Sequence, residues 1–416
     1  MRKYIFITAL FISITAFCQT RTPFSELKSL LFENNTAIKQ LQAEKDIIEA
    51  EKKQSQMWEN PTATAIHNIY NPINSTYFDL SKQGETDIEL EIPIKNFSKT
   101  KMSKRKYNFL QQSKENELLS LQYELSDELL RHLADYSYYY NAEKLYADEI
   151  SSLSDIVSAF EIQYKNKNIS ALELSNLQTV LFNLQNEAAE VQINKQNAYF
   201  EILKLLNTNA NSDFHSVLNV NSVFEQANDF LLSAINDSLP AFPYSVMALD
   251  GEQRANHYAV KEFEKDNLPV WNFKTEWDKN GSIAYNVFLA GFSVQLPVFN
   301  RNQGNIATKK AENEILLQKR EFLINTYKQE LAFCIENLRK YCTMYAGNNS
   351  QTLIDNDKLA KDMREQLINR NISLIDWQNF AENYRQKRLL QLLTEKNLLQ
   401  TASRINAIAN KEIFSF

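Results

Sequence analysis

The sequence predicts a mainly α-helical protein with four short strands, laid out as an internal tandem repeat. Three observations carry that prediction. Asn166-Lys167-Asn168-Ile169-Ser170-x-x-Glu173 returns as Asn369-Arg370-Asn371-Ile372-Ser373-x-x-Asp376, 203 residues later. Ile92-Pro93-Ile94 returns as Leu296-Pro297-Val298 at an offset of 204. The 416 residues include only six glycines, none between Gly84 and Gly251, and no proline from Ile94 to Leu239. A chain so poor in turn-forming residues is expected to fold mainly as long helices.

The duplicated phrase explains itself locally. Ser-x-x-acid is the spelling of a capping box, in which the Ser oxygen accepts from the third helical N–H and the acid accepts from the Ser N–H. The Asn residues before each Ser suit the left-handed conformation that ends a helix. Each phrase therefore reads as the tight turn of a long helical hairpin.

The N-terminus reads as an export signal over residues 1–18. Arg2 and Lys3 precede an apolar run from Tyr4 to Phe17, and Ala16-Phe17-Cys18 closes it before Gln19. The run is shorter than the roughly 20 residues of a membrane-spanning helix, which favours a cleaved secretory signal. Lipoprotein processing at Cys18 needs a small residue before it, and Phe17 is not small.

Taken in order, residues 24–58 have helical spacing through Leu27, Leu30, Leu31, Ile38, Leu41, Ile47 and Ile48. Thr62 to Tyr70 and Thr86 to Ile94 are strand-like. In the second, Ile88, Leu90 and Ile92 alternate with Asp87, Glu89 and Glu91, which puts one face in water and one in an apolar medium. From Ser98 to Asn166 nothing interrupts a helix of ~100 Å. Tyr146, Ile150, Leu153, Val157, Phe160 and Tyr164 form a coiled-coil seam along it. After the first turn a helix returns from Ile169 to about Leu206, with Leu172, Leu177, Leu181, Leu184, Ala188 and Val191 as its apolar stripe. Residues 209–243 form a connector.

The plan then repeats. A helix over Tyr244 to Asp266 precedes strands Val270 to Glu276 and Ala284 to Leu296, around a turn at Asp278-Lys279-Asn280-Gly281. Phe288, Phe292, Val294 and Leu296 share one face of the second strand. A long helix follows from Asn302 to Asn369, with a tolerated kink at Gly347-Asn348-Asn349-Ser350, then a return helix from Ile372 to the end. The repeats are residues 19–208 and 244–416, interlocked as one unit.

The strand lengths approach the ~9–11 residues that cross an outer membrane in a tilted barrel. Four strands cannot close a barrel, and open edges are forbidden in lipid. Either several chains pool their strands, three chains supplying twelve, or the strands lie outside a membrane. Tyr70, Tyr77, Phe78, Trp271, Trp277 and Tyr285 cluster at strand ends, as in an interfacial girdle.

Chemistry at a site is not indicated. Cys334 and Cys342 are eight residues apart on one helix, hence ~12 Å apart and too far for a disulfide. They read as buried filler. His67, His132, His215 and His257 are scattered and make no metal site. No phosphate loop, His-Glu-x-x-His or nucleophile elbow is present, so neither an enzyme nor a cofactor is expected. The net charge of −6 argues against nucleic acid.

The arrangement resembles the outer-membrane factor (TolC-like) family of exit ducts over nearly all of the exported chain. The resemblance is carried by the duplicated plan, by Leu296-Pro297-Val298-Phe299-Asn300-Arg301 entering a helix with Gly304, and by the Tyr164 to Glu173 turn. It implies a homotrimer with a twelve-stranded barrel in outer-membrane lipid and a helical tunnel across the periplasm. The tunnel tip would meet a periplasmic adaptor linked to an inner-membrane pump, in drug or metal efflux or in type I protein secretion. On this resemblance Glu173, Asp376, Tyr164 and Leu367 fall at the gate. Asn166, Lys167, Asn168, Ser170, Asn369, Arg370, Asn371 and Ser373 form the tip turns as plausible adaptor contacts. Two departures stand out: Lys167 and Arg370 replace the family's usual glycine, and Leu367 stands where Tyr164 predicts an aromatic.

The carboxylates at 173 and 376 have two readings, as helix caps alone or also as rings that attract cations at a tunnel mouth. Glu89 and Glu91 fit a hydrated lumen. Lys99, Lys101, Lys104, Arg105 and Lys106 read as a solvated face, or as a contact with anionic headgroups. The reading from a different class is an exported soluble coiled-coil structural or adaptor-like protein with a small strand cap.

Overall fold

The structure, a computed structural model, describes residues 23–209, 213–215, 217–232, 242–280, 284–348, 352–369 and 371–416. The export signal with Cys18, the predicted turn residue Gly281, Asn349 and Ser350 of the predicted kink, and Arg370 lie outside the described residues, as do parts of the connector.

The chain opens with helices α1 (Phe24–Asn34) and α2 (Thr36–Gln54), followed by strand β1 (Thr62–His67). A single helix over 24–58 was expected. Asn35 breaks it with ψ of 130°, and its Oδ1 accepts from Ala37 N at 2.9 Å to cap the second segment. A small hairpin of β2 (Tyr70–Asn71) and β3 (Thr76–Tyr77) leads to β4 (Thr86–Pro93). Helix α3 (Phe97–Lys165) then runs 69 residues without interruption, about 100 Å. Its N-cap is Asn96, whose Oδ1 accepts from Lys99 N at 3.0 Å. Helix α4 (Ala171–Leu206) returns antiparallel and ends on Asn207 in the left-handed conformation.

Helix α5 (Val220–Leu232) lies in the described part of the connector, and α6 (Tyr244–Lys265) follows. Strands β5 (Val270–Asn280) and β6 (Tyr285–Gln295) form the second hairpin. The turn expected at Asp278–Gly281 is displaced, because Asp278 and Asn280 still pair with Val287 and Tyr285. The alternation of Trp271, Phe273, Thr275 and Trp277 with Asn272, Lys274, Glu276 and Asp278 carries the strand onward. Helices α7 (Gln303–Asn348) and α8 (Thr352–Ile368) descend on either side of the expected kink, and α9 (Leu374–Ala409) returns to Asn410, again left-handed.

The helices form a slab with α4, α3, α9 and α7 side by side toward the hairpin tips, and α2, α3, α6 and α7 side by side toward the sheet. Two end-to-end joints connect these levels. Asn207 donates to Asn34 O and Asn35 donates to Leu205 O, seating α2 on the end of α4. Asn410 Oδ1 accepts from Tyr244 N, seating α6 on the end of α9. At Gly251 a Cβ would meet backbone atoms of Phe109 and Ser113 at 3.0–3.1 Å, so any side chain there would push α6 a few tenths of an ångström away from α3.

The main core lies at the joints. Leu31, Ile38, Leu129, Leu130, Leu133, Ile202, Leu338, Leu398 and Phe414 are buried there, together with Cys334 and Cys342. Burial pushes the Cys342 thiol up to about 11, so it stays neutral filler. A second cluster near the tip joins Leu153, Ile156, Val157, Phe160 and Leu177 to Leu367 and Trp377. Leu172, expected in the apolar stripe of α4, is instead 70% exposed, because the chain is still turning out of the cap.

Candidate functional site

Two regions answer the sequence-based expectations: the hairpin tips and the sheet. At the first tip, α3 ends in a complete Schellman motif. Asn168 N donates to Gln163 O at 2.9 Å and Lys167 N donates to Tyr164 O at 2.9 Å. The residue with positive φ is Lys167 itself, at 60°, and not one of the flanking asparagines as expected. The register of the motif decides this, since its left-handed residue must be the first after the cap Asn166. The capping box follows: Glu173 N donates to Ser170 Oγ at 3.2 Å and Ser170 N donates to Glu173 Oε2 at 2.9 Å.

At the second tip Asn371 N donates to Gln366 O at 2.8 Å, the same long bond. Asp376 N donates to Ser373 Oγ at 3.1 Å, while the Asp376 carboxylate accepts from the Ser373 hydroxyl at 2.6 Å. Glu173 Oε2 accepts from the Ser170 hydroxyl as well, at 3.1 Å, so what the second tip lacks is the bond from the Ser backbone N–H; aspartate is one methylene shorter than glutamate and reaches the hydroxyl alone. Glu173 and Asp376 are exposed, as are Asn166, Lys167, Asn168, Ser170, Asn369, Asn371, Ser373 and Tyr164. Leu367 does not reach the tip surface: it is 2% exposed and packs in the cluster with Trp377. Leu172 and Ile375 hold matching positions beside the two caps, and both project outward at about 70% exposure (70% and 68%).

Polar links that sequence reasoning missed join the two hairpins above the tips. Arg385 of α9 donates to Glu149 of α3 at 2.8 Å and stands 3.8 Å from Glu187 of α4. Arg364 of α8 reaches Asp155 at 2.6 Å and the Ser152 hydroxyl at 3.1 Å. No spacing rule announces these contacts, since each partner lies about 200 residues or more away in the chain.

The sheet is antiparallel in the order β1-β4-β5-β6, with 6, 8, 11 and 11 residues per strand. The register Glu91↔Lys274 and Ile92↔Phe273 sorts its two faces. One is polar: Lys274 bridges Glu89 at 2.6 Å and Glu91 at 3.3 Å, and Glu91 also accepts from Asn272 and Ser293. The lysine between the two glutamates was not anticipated. The other face carries Ile88, Ile92, Trp271, Phe288, Phe292 and Val294, all exposed. Among the described residues β1 and β6 are unpaired on their outer sides.

Of the aromatics, Trp271 sits at the helix-side end of β5 and Tyr285 at the far end of β6, both exposed. Tyr70 and Tyr77 lie with ring centres 5.1 Å apart, tilted by 53°, in the small hairpin beyond. Trp277 lies inside its strand, between Ile88 and Phe288, and is only partly exposed. Of the basic run, Lys99 pairs with Asp266 at 2.6 Å and Lys106 with Glu262 at 2.8 Å, so these two are tied to α6. Among the described residues no cluster of metal-ligating side chains occurs, and no helix is long and apolar enough to cross a membrane.

A helical slab carrying an amphipathic sheet is the fold of outer-membrane factor (TolC-like) channels. The outer-membrane channel CmeC of Campylobacter jejuni superposes with a TM-score of 0.73 at 12% identity, over 93% of this chain and 85% of that one. The outer-membrane protein VceC of Vibrio cholerae gives 0.71 at 10% identity, over 94% and 97%. The open state of the Neisseria gonorrhoeae channel MtrE gives 0.69 at 10%, over 94% and 89%. No protein-family model matches the sequence, and no curated protein matches it significantly.

Proposed function

We propose that this protein is the outer-membrane exit duct of a tripartite efflux assembly, a passive gated channel formed by three copies of the chain. The observation that carries the reading is the sheet, with one ion-paired face, one exposed aromatic and aliphatic face, and two open edges. In water such a sheet invites aggregation. In a bilayer the apolar face is solvated by lipid, while each unpaired backbone group costs several kcal/mol until the edges close. Twelve strands from three copies close a barrel with the charged face toward a wet lumen.

The slab supports the same assembly. Phe182, Ala189, Ile193 and Phe200 mark an exposed seam along the free flank of α4, at steps of seven, four and seven residues. The opposite flank, on α7, exposes Ile315, Phe322, Phe333 and Met344. A seam on each flank suits a ring in which every copy packs head-to-tail on the next.

The exposed tips are the surface for a periplasmic adaptor, with Leu172 and Ile375 as apolar anchors beside Lys167 and the asparagines. Energy comes from an inner-membrane pump behind that adaptor. Three copies each of Glu173 and Asp376 ring the mouth and favour cations, and the Arg385 and Arg364 links hold the hairpins together in the resting state.

The test is single-channel conductance of detergent-purified protein in a planar bilayer, with copies counted by cross-linking. A trimer with a small, cation-preferring conductance that loses its preference in Glu173→Ala/Asp376→Ala is the expected result. A monomer without conductance would overturn the reading.

A further inference from the structure

We propose that the cleft where α2, α3 and α6 meet the sheet binds a phospholipid headgroup at the helix-side boundary of the membrane. This rests on the membrane reading of the sheet. The cleft encloses about 470 Å³, within the roughly 300–1,000 Å³ of small-ligand sites. Its wall carries Trp58, Glu59, Lys95, Lys99, Ser103 and Lys265.

The charges define the ligand. Lys99 is neutralised by Asp266 at 2.6 Å. Among the described residues Lys95, Lys265 and Glu59 have no ion-pair partner. Lys95 donates to Gln56 O and stands 5.9 Å from the centre of the Trp58 ring, which leaves further N–H donors on its ammonium. Of the lining carboxylates, Asp266 is paired with Lys99 and Glu262 with Lys106, which leaves two cations for a phosphodiester and Glu59, beside the Trp58 indole, for an ammonium. Ser103 adds a second, independent sign: it is 1% exposed and its Oγ has no hydrogen-bond partner, although it lines the cleft. A buried hydroxyl is costly to leave unmatched, and a phosphate oxygen is the acceptor it lacks. The start of α3 lies at the same place, with the positive end of its dipole toward the cleft.

The rim says which source of phosphate is meant. Met57, Ile94, Leu268 and Val270 are exposed around the opening, and Ile94 N donates to Trp271 O at 2.8 Å, which sets the cleft against the helix-side end of β5. Free phosphate has no use for such a rim, whereas an acyl chain does. A zwitterionic headgroup of the ethanolamine type matches both signs of charge.

The test uses the full exported chain, purified in detergent and stripped of lipid, with ligand occupancy read by native mass spectrometry. The probes are dioctanoyl phosphatidylethanolamine, dioctanoyl phosphatidylglycerol and inorganic phosphate. The expected result is one ethanolamine lipid per chain, held more tightly than the glycerol lipid and not displaced by phosphate. Lys95→Gln and Trp58→Ala should each weaken it tenfold or more and Lys95→Arg should restore it, with every variant still in the outer-membrane fraction. Equal binding by wild type and variants, displacement by phosphate, or no lipid on a membrane-located wild type, as when the next copy fills the cleft, would overturn the headgroup site and leave the duct standing. A wild-type protein found only in the soluble fraction would overturn both.

Discussion

Arg385 of α9 donates from Nη1 to the Glu149 carboxylate of α3 at 2.8 Å, with only 11% and 17% of the two side chains in contact with solvent. Burial pushes the Glu149 carboxyl above its usual range, and the Arg385 charge opposes that push. Burial and the neighbouring Glu187 likewise raise the Tyr146 phenol to about 12, so it serves as a neutral donor to Glu187.

Removing the arginine strands a buried carboxylate. Arg385→Ala should destabilise the pairing of the hairpins by about 3 kcal/mol at neutral pH, read by chemical denaturation in detergent. A carboxyl whose folded pKa is raised gains stability as pH falls through that pKa, and the gain is complete below its unfolded value. Without Arg385 the Glu149 pKa rises further, so the loss at pH 5 should be smaller than at pH 7. A pH-independent loss would mean that Arg385 acts through packing alone.

Lys167 sits at φ 60° with no glycine to relieve it. The left-handed region costs a non-glycine residue about 1–2 kcal/mol, against about 0.5–1 kcal/mol for the extra freedom of glycine in the unfolded chain. Lys167→Gly should therefore slow local opening of the first tip by roughly 0.5–1 kcal/mol, seen as amide exchange protection over residues 160–178. Lys167→Ile should speed it.

The two caps are chemically unequal. Glu173 accepts from both the N–H and the hydroxyl of Ser170, whereas Asp376 accepts from the Ser373 hydroxyl alone. Ser170→Ala and Ser373→Ala should each cost about 1 kcal/mol of local stability. Glu173→Ala should loosen its turn more than Asp376→Ala, because only the first frees a backbone donor. Exchange rates of the Ser170 and Ser373 amides distinguish the cases.

Phe288 projects from the apolar sheet face at 78% exposure. Phe288→Arg should cost about 2–4 kcal/mol if that face meets lipid, and lower the yield of membrane-inserted protein. Gly291→Ser, on the polar face with nothing within 4 Å of its Cβ position, should be neutral. Equal yields from both would place the sheet in water.

Much of the fold was legible in the chain because its signals are local. The Ser170/Glu173 and Ser373/Asp376 caps need only a four-residue window, and the span from Ser98 to Asn166 needs only freedom from glycine and proline. Alternation over Ile88 to Ile92 likewise sorts a strand into two faces without knowledge of its neighbours. By itself the sequence determined the long hairpins, their tips and the amphipathic strands.

Tertiary structure decided the rest, for reasons of distance and competition. Asn35 breaks a helix that periodicity would continue, because the end of α4 and the start of α2 dock there. Leu367 turns into a core with Trp377 and Leu153 instead of toward the tip, since its burial depends on a hairpin some 200 residues away. Lys274 between Glu89 and Glu91, and Arg385 beside Glu149, are contacts that exist only once the strands and helices have taken their register. Local rules fix which face of an element is apolar, but only packing chooses what that face meets.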